Sequence, residues 1–321
     1  MRELADSGTL RADPAALRQR LAADGYLFFR GLLPEGAVQA AYDAVRTELR
    51  VGGWMDLDGR PTGPQRAVTV RDGVADPSFR AALASRGLSR LPYLSPLRGL
   101  VRFILGQAAF SYPVKVLRIV YPEPPSQATR GRYIHQDFAV SGVQDMLTTW
   151  LPLMAIPPEL GGLALLPGSH LGPPLRPRIL PADEPCWATT DYRPGDVLLF
   201  HCLTSHAALP NHSDRLRVSA DFRWQAADQT APAELVLGPV AGRTASAPAR
   251  RGRANGTPAG RSGQVELYSR LLSYEPWWEP VPDGLMLASR HQMVATPPAP
   301  SRLFPLHPGW QRWRPPAGQV H

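Results

Sequence analysis

The chain has 321 residues, 44% hydrophobic and 19% charged, with 36 prolines and 28 glycines. Enough apolar material is present for a full core, which excludes wholesale disorder, and the proline and glycine content excludes a bundle of long helices. The formal net charge is +8, but Lys115 is the only lysine, so arginine carries the excess.

The most apolar stretch, 100–110, is interrupted by Arg102 and Gln107 and falls short of the roughly 18 residues of a membrane span. Met1-Arg2-Glu3 and the polar residues after it lack a signal-peptide core, and Cys186 and Cys202 make no disulfide framework. The expectation is a cytoplasmic protein without a membrane partner.

In chain order, Asp13 is a candidate N-cap for a helix over 14–23 that stops at Gly25, and 26–29 reads as a short aromatic strand. A second helix is predicted over 34–50 from the period of Val38, Ala41, Tyr42, Val45 and Leu49, followed by a loop-rich stretch over 51–95 and a helix from Ser95 to Leu105. From residue 112 the texture changes to strands at 114–121, 133–140, 146–156, 163–166, 197–202 and 216–224, separated by Pro/Gly turns. Such spacing predicts a mostly β fold, an antiparallel barrel or jelly roll backed by helices. The chain reads as a single domain: helical N-terminal support over 1–110, a jelly-roll core over 111–237, a flexible arginine-rich insert over 238–264 and a C-terminal packing segment over 265–321. That last segment has one predicted helix, 265–273, and the pair Trp277-Trp278.

The insert explains much of the charge. It holds Arg243, Arg250, Arg251, Arg253 and Arg261 with no acidic residue and no aromatic one, and Arg302, Arg312 and Arg314 lie in the tail. A basic segment without aromatics gives little support to a nucleic-acid partner.

The chemistry lies in the β region. His135 and Asp137, two apart on a predicted strand, project to one face. His206 follows the apolar run 197–200, and a facing strand can bring it to complete a two-histidine, one-carboxylate set, the arrangement of non-haem Fe(II) oxygenases. Arg217, eleven residues later, offers a fork suited to the far carboxylate of a keto-acid cosubstrate. Ser219 shares the face of Arg217. Lys115 and Arg118 stand on opposite faces of one strand, so one of them points inward, and Lys115 is the candidate second cosubstrate contact. His170 reads as structural and His201 as facing away from the site, second to His206 as distal ligand. Both cysteines read as packing residues.

The sequence from His135-Gln136-Asp137 through Trp150-Leu151-Pro152-Leu153, the run Gly161 to His170, the run Gly195 to His206 and then Arg217 resembles the phytanoyl-CoA dioxygenase-like family, as does the earlier run Asp24 to Pro34. The resemblance covers about residues 14–225. It implies a double-stranded β-helix (jelly-roll, cupin-like) core and an Fe(II)- and 2-oxoglutarate-dependent dioxygenase consuming O2, with His135, Asp137 and His206 as metal ligands and catalytic centre. Arg217 would be the cosubstrate anchor, and Trp150 falls where the family often has an aromatic near the cosubstrate. A carboxylate at position 137 favours hydroxylation or another oxidation over halogenation. The expected partner is a small-molecule substrate, most simply a natural product, with the protein a monomer or homodimer. The competing readings are a non-catalytic jelly-roll relative, an acyl-CoA hydroxylase, a nucleic-acid-modifying oxygenase and a metal-dependent hydrolase.

Overall fold

The computed structural model describes residues 1–64, 76–105, 109–123, 132–138, 143, 145–174, 178–180 and 186–226. The arginine-rich segment 238–264 and the C-terminal segment 265–321, with the predicted helix 265–273, Trp277 and Trp278, lie outside the described residues.

Helix α1 (Pro14–Asp24) starts where the Asp13 side chain accepts from the amides of Ala15 and Ala16, and ends at Gly25, whose φ of 78° lets its N–H close back onto Leu21 O. Helix α2 (Glu35–Val51) buries Val38, Ala41, Val45 and Leu49, one stripe at helical spacing. The described residues 76–95, expected to be loop-rich, are largely helical. They contain α3 (Pro77–Ala84), capped by the Asp76 carboxylate on the amides of Ser78 and Phe79, and the single-turn α4 (Arg86–Arg90). Gly87 lets α4 approach α2, because a Cβ there would sit 2.9 Å from the Ala41 backbone. Helix α5 (Ser95–Leu105) buries Leu97, Leu100, Val101, Ile104 and Leu105.

The larger sheet is built from β2 (Tyr26–Phe29), β3 (Ala109–Val120), β5 (Leu147–Pro152), β9 (Val197–His201) and β11 (Arg217–Ala226), in the order β2-β9-β5-β11-β3 and antiparallel throughout. The smaller sheet comprises β1 (Arg2–Glu3), β6 (Leu163–Leu165), β8 (Ala188–Thr189) and β10 (His206–Ala208), in the order β1-β8-β6-β10. A two-stranded ribbon, β4 (Arg132–Ile134) with β7 (Arg178–Leu180), joins the edge of that sheet through a bridge between His135 and His206. The N-terminal segment is therefore part of the barrel, since it supplies β1 to one sheet and β2 to the other.

Alternation along β11 divides the molecule into layers. Val218, Ala220, Phe222, Trp224 and Ala226 join Leu17, Val45, Leu88 and Ile104 in a core between the larger sheet and the helices. A second core, with Tyr26, Phe28, Trp150, Leu163, Leu165, Leu198 and Phe200, lies between the two sheets. The result is a jelly-roll double-stranded β-helix backed on one face by helices. Arg217, Ser219, Asp221 and Arg223 take the alternate positions of β11 and face the inside of the barrel, on the same side as Trp150.

Candidate metal centre

His135 and His206 meet because they are a hydrogen-bonded antiparallel pair. The His135 amide donates to His206 O at 3.2 Å and the His206 amide to His135 O at 3.0 Å, which places their ring centroids 4.2 Å apart. Strand β4 stops at Ile134, so the expected single strand carrying both His135 and Asp137 is not formed; Asp137 stands in the turn just beyond. It still reaches the same place. Asp137 Oδ1 is 3.8 Å from His206 Nε2, and the ligand atoms of His135, Asp137 and His206 all lie within 4.8 Å of one another, the one such group of His, Cys, Asp and Glu side chains among the described residues.

The environment sets these groups in their ligating forms. Burial, reinforced by His206, pushes the His135 imidazole down to about 3, and burial lowers His206 as well. For Asp137 burial acts to raise the pKa, but Arg223, both histidines and Thr148 outweigh it and hold the carboxyl well below the usual range. Two neutral imidazoles and one ionised carboxylate suit a divalent transition-metal ion. His206 Nδ1 lies 2.9 Å from Thr204 O and donates to it, which leaves the Nε2 lone pair on the side of Asp137.

Asp137 is held from the larger sheet. The Thr148 hydroxyl donates to Oδ2 at 2.5 Å, and Arg223 Nη2 approaches Oδ1 at 3.3 Å. Neither residue was expected from the sequence. The available signal was alternation: Thr148 lies two before Trp150 on β5, and Arg223 six after Arg217 on β11.

Further along the same wall, Arg217 is fully buried. Its Nη1 donates to Gly161 O (2.8 Å) and Gly162 O (3.1 Å), while Nε and Nη2 have no partner among the described residues. Gly161 is required at that turn, since its φ is 70° and a Cβ would lie 2.1 Å from Pro210 O. Ser219 Oγ and Trp150 Nε1 are likewise buried without partners, and the Arg217 guanidinium is 6.0 Å from the Trp150 ring. Burial and the nearby Arg118 bring Arg217 down to about 10, still protonated at neutral pH. A buried cation with two open N–H groups is costly unless an anion completes it, so this cluster fits a carboxylate.

Lys115 is not part of this wall. It pairs across the sheet with Phe222 on the helix-facing side, where its ammonium donates to Ser89 Oγ and burial brings its pKa down to about 8. The inward position belongs to Arg118, opposite Ser219, with Nε and Nη2 both 2.7 Å from Asp221 Oδ2. The register of β3 decides this, because the sequence fixes only that residues 115 and 118 lie on opposite faces. His201 faces the helical side, opposite Leu147, with its ring 5.9 Å from that of His170. His170 Nε2 lies 3.0 Å from Ala22 O, a structural contact. Cys202 is buried and Cys186 half-buried. Among the described residues no helix is long and apolar enough to cross a membrane.

The phytanoyl-CoA dioxygenase (PhyH) family profile matches residues 21–219. Two 1-deoxypentalenic acid 11-beta-hydroxylases are similar: that of Streptomyces arenae is 31% identical over 148 residues, 39% of this chain and 52% of that protein, and that of Streptomyces exfoliatus is 30% identical over 149 residues, with the same coverage. The chain thus spans about half the length of the curated relatives it matches. Among solved structures, the epimerase SnoN in complex with Fe3+, alpha ketoglutarate and nogalamycin RO superposes with a TM-score of 0.51 at 23% identity, over 76% of this chain and 97% of that one. The non-heme monooxygenase ThoJ in its Ni complex gives 0.50 at 20% identity, over 79% and 94%. Both likenesses are likenesses of fold.

Proposed function

The chain belongs to the phytanoyl-CoA dioxygenase family, and we propose that it is an Fe(II)- and 2-oxoglutarate-dependent dioxygenase that oxidises an unactivated carbon of a small molecule, most simply by hydroxylation. The observation that carries this reading is the pairing of two features inside one barrel: the convergence of His135, Asp137 and His206, and a buried arginine with unpartnered N–H groups on the inner face of the larger sheet. The names of the curated relatives support it, since both are 1-deoxypentalenic acid 11-beta-hydroxylases.

In this reading His135, Asp137 and His206 hold the ferrous ion, and Arg217 holds the far carboxylate of 2-oxoglutarate, with Ser219 Oγ and Trp150 Nε1 as further donors. The bound ion and cosubstrate supply O2 activation, coupled to oxidative decarboxylation of 2-oxoglutarate to succinate. The chain's own part is positional. Thr204 fixes the His206 tautomer, burial keeps both imidazoles neutral, and the Gly161-Gly162 carbonyls aim the Arg217 fork. A natural-product substrate, a cytoplasmic location, the absence of a nucleic-acid partner and a monomeric or homodimeric state belong to the same proposal. Inward-facing arginines on the barrel wall support a small anionic cosubstrate more than an extended polyanion.

The test is anaerobic. Addition of Fe(II) and 2-oxoglutarate to the protein should give a weak visible charge-transfer band that His206→Ala abolishes, and O2 with an oxidisable small-molecule substrate should then release succinate and CO2, the second oxygen atom going to the substrate. An identical band in the variant, or none in the parent protein, would overturn the assignment.

A further inference from the structure

Thr148 and Arg223 are directly opposed in the β5–β11 ladder, on the face turned into the barrel. Both reach one side chain, Asp137, which arrives from the far end of the ribbon. Thr148 and Asp137 are 1% and 2% exposed, and the Arg223 side chain is 11% exposed, so these contacts are made out of solvent. The two oxygens of the carboxylate are treated differently. Oδ2 takes the Thr148 hydroxyl at 2.5 Å; Oδ1 lies 3.3 Å from Arg223 Nη2 and 3.8 Å from His206 Nε2.

A hydroxyl and a guanidinium have opposite consequences for a metal ligand. The hydroxyl is neutral and occupies the other oxygen from the one that approaches His206, so it can stay when a metal ion binds. It fixes the carboxylate plane and disfavours two-oxygen chelation, which would consume a coordination position that an oxygenase needs open. The guanidinium is a cation at the oxygen the metal ion would use, and like charges at that distance repel. We propose that this cross-strand pair divides Asp137 between orientation and competition: Thr148 is a positioning residue that holds the carboxylate for one-oxygen ligation, and Arg223 is a counter-ion that metal binding displaces from Oδ1.

The inference rests on the proposed metal centre and is tested on metal binding alone, with Co(II) as probe, by titration calorimetry and by the visible d–d spectrum of the full-length protein. Thr148→Val should raise the Co(II) dissociation constant about tenfold or more and alter the d–d bands, and Thr148→Ser should restore both. Arg223→Gln should lower the dissociation constant, because it removes the competing cation from Oδ1. Thr148→Ala carries the same prediction should the valine variant fail to fold. Wild-type affinity in the valine or alanine variant overturns the positioning role, and an unchanged or weakened affinity in Arg223→Gln overturns the competing role. Failure of the parent protein to bind Co(II) would instead remove the metal centre itself, and the inference with it.

Discussion

At the scale of single residues, the contrast between Arg217 and Lys115 shows what a side chain gains from its face of the sheet. Arg217 is buried with Nε and Nη2 open toward the barrel interior, whereas the Lys115 ammonium ends on Ser89 among the helices. Arg217→Lys keeps a positive charge but loses the fork, so 2-oxoglutarate binding to the metal-loaded protein should weaken at least tenfold, about 1.4 kcal/mol. Lys115→Met should leave it within about twofold. Equal effects in the two variants, measured by the charge-transfer band as a function of cosubstrate, would contradict the placement. His135, Asp137, His206 and Arg217 could be singled out in the sequence because residue type and spacing, weak alone, combine with the family resemblance. The choice between Lys115 and Arg118 was not legible there, because alternation gives relative faces and only pairing with β11 decides which face is inside. Thr148 and Arg223 were hidden for a related reason: each acts on a residue distant in sequence, and neither type announces a role.

At the scale of elements, the junction between α1 and β2 is held by Gly25. With φ at 78° it caps α1, and a Cβ there would lie 2.4 Å from His170 Nδ1 and 2.7 Å from Thr204 Oγ1. Gly31, with φ at 58°, has nothing within 4 Å of the same position. Gly31→Ala should therefore cost only the left-handed backbone penalty, about 1–2 kcal/mol, and Gly25→Ala that penalty plus about 1–3 kcal/mol of overpacking. Denaturant unfolding of the two variants checks the difference, and equal losses would mean that His170 and Thr204 yield freely. The same contact shows why α1, α2 and α5 could be read from caps and periodicity while α3 and α4 could not. Asp76-Pro77 does signal a helix start, but eight- and five-residue helices interrupted by Ser85 and Gly87 carry too few periods, and their stability comes from packing on α2. β4 likewise ends at Ile134, and His135 is then paired with His206 in an isolated bridge, a tertiary contact that strand propensity does not disclose.

At the scale of the whole molecule, His170 links the turn after β6 to the end of α1, and through α1 to the helical layer. Its ring is 4% exposed, its Nε2 contacts Ala22 O, and burial holds its pKa below the ordinary histidine value. In the unfolded chain the same ring titrates near about 6.5. As pH falls through that value the unfolded chain takes up a proton that the folded chain refuses. The stabilisation present above about pH 6.5 is then lost progressively until the lower folded pKa is reached. His135 and His206 are lowered in the same direction, so the metal-free protein should lose stability on acidification through several groups at once. Replacing His170 by Gln isolates one of them. Between pH 7.5 and 5 the variant should show a shallower fall in unfolding free energy than the parent, the difference in slope not exceeding about 1.4 kcal/mol per pH unit. The measurement is denaturant unfolding in the presence of a chelator, so that metal binding to the other two histidines does not enter. Parallel pH profiles would mean that His170 titrates alike in both states, and that its burial in the turn does not lower its pKa.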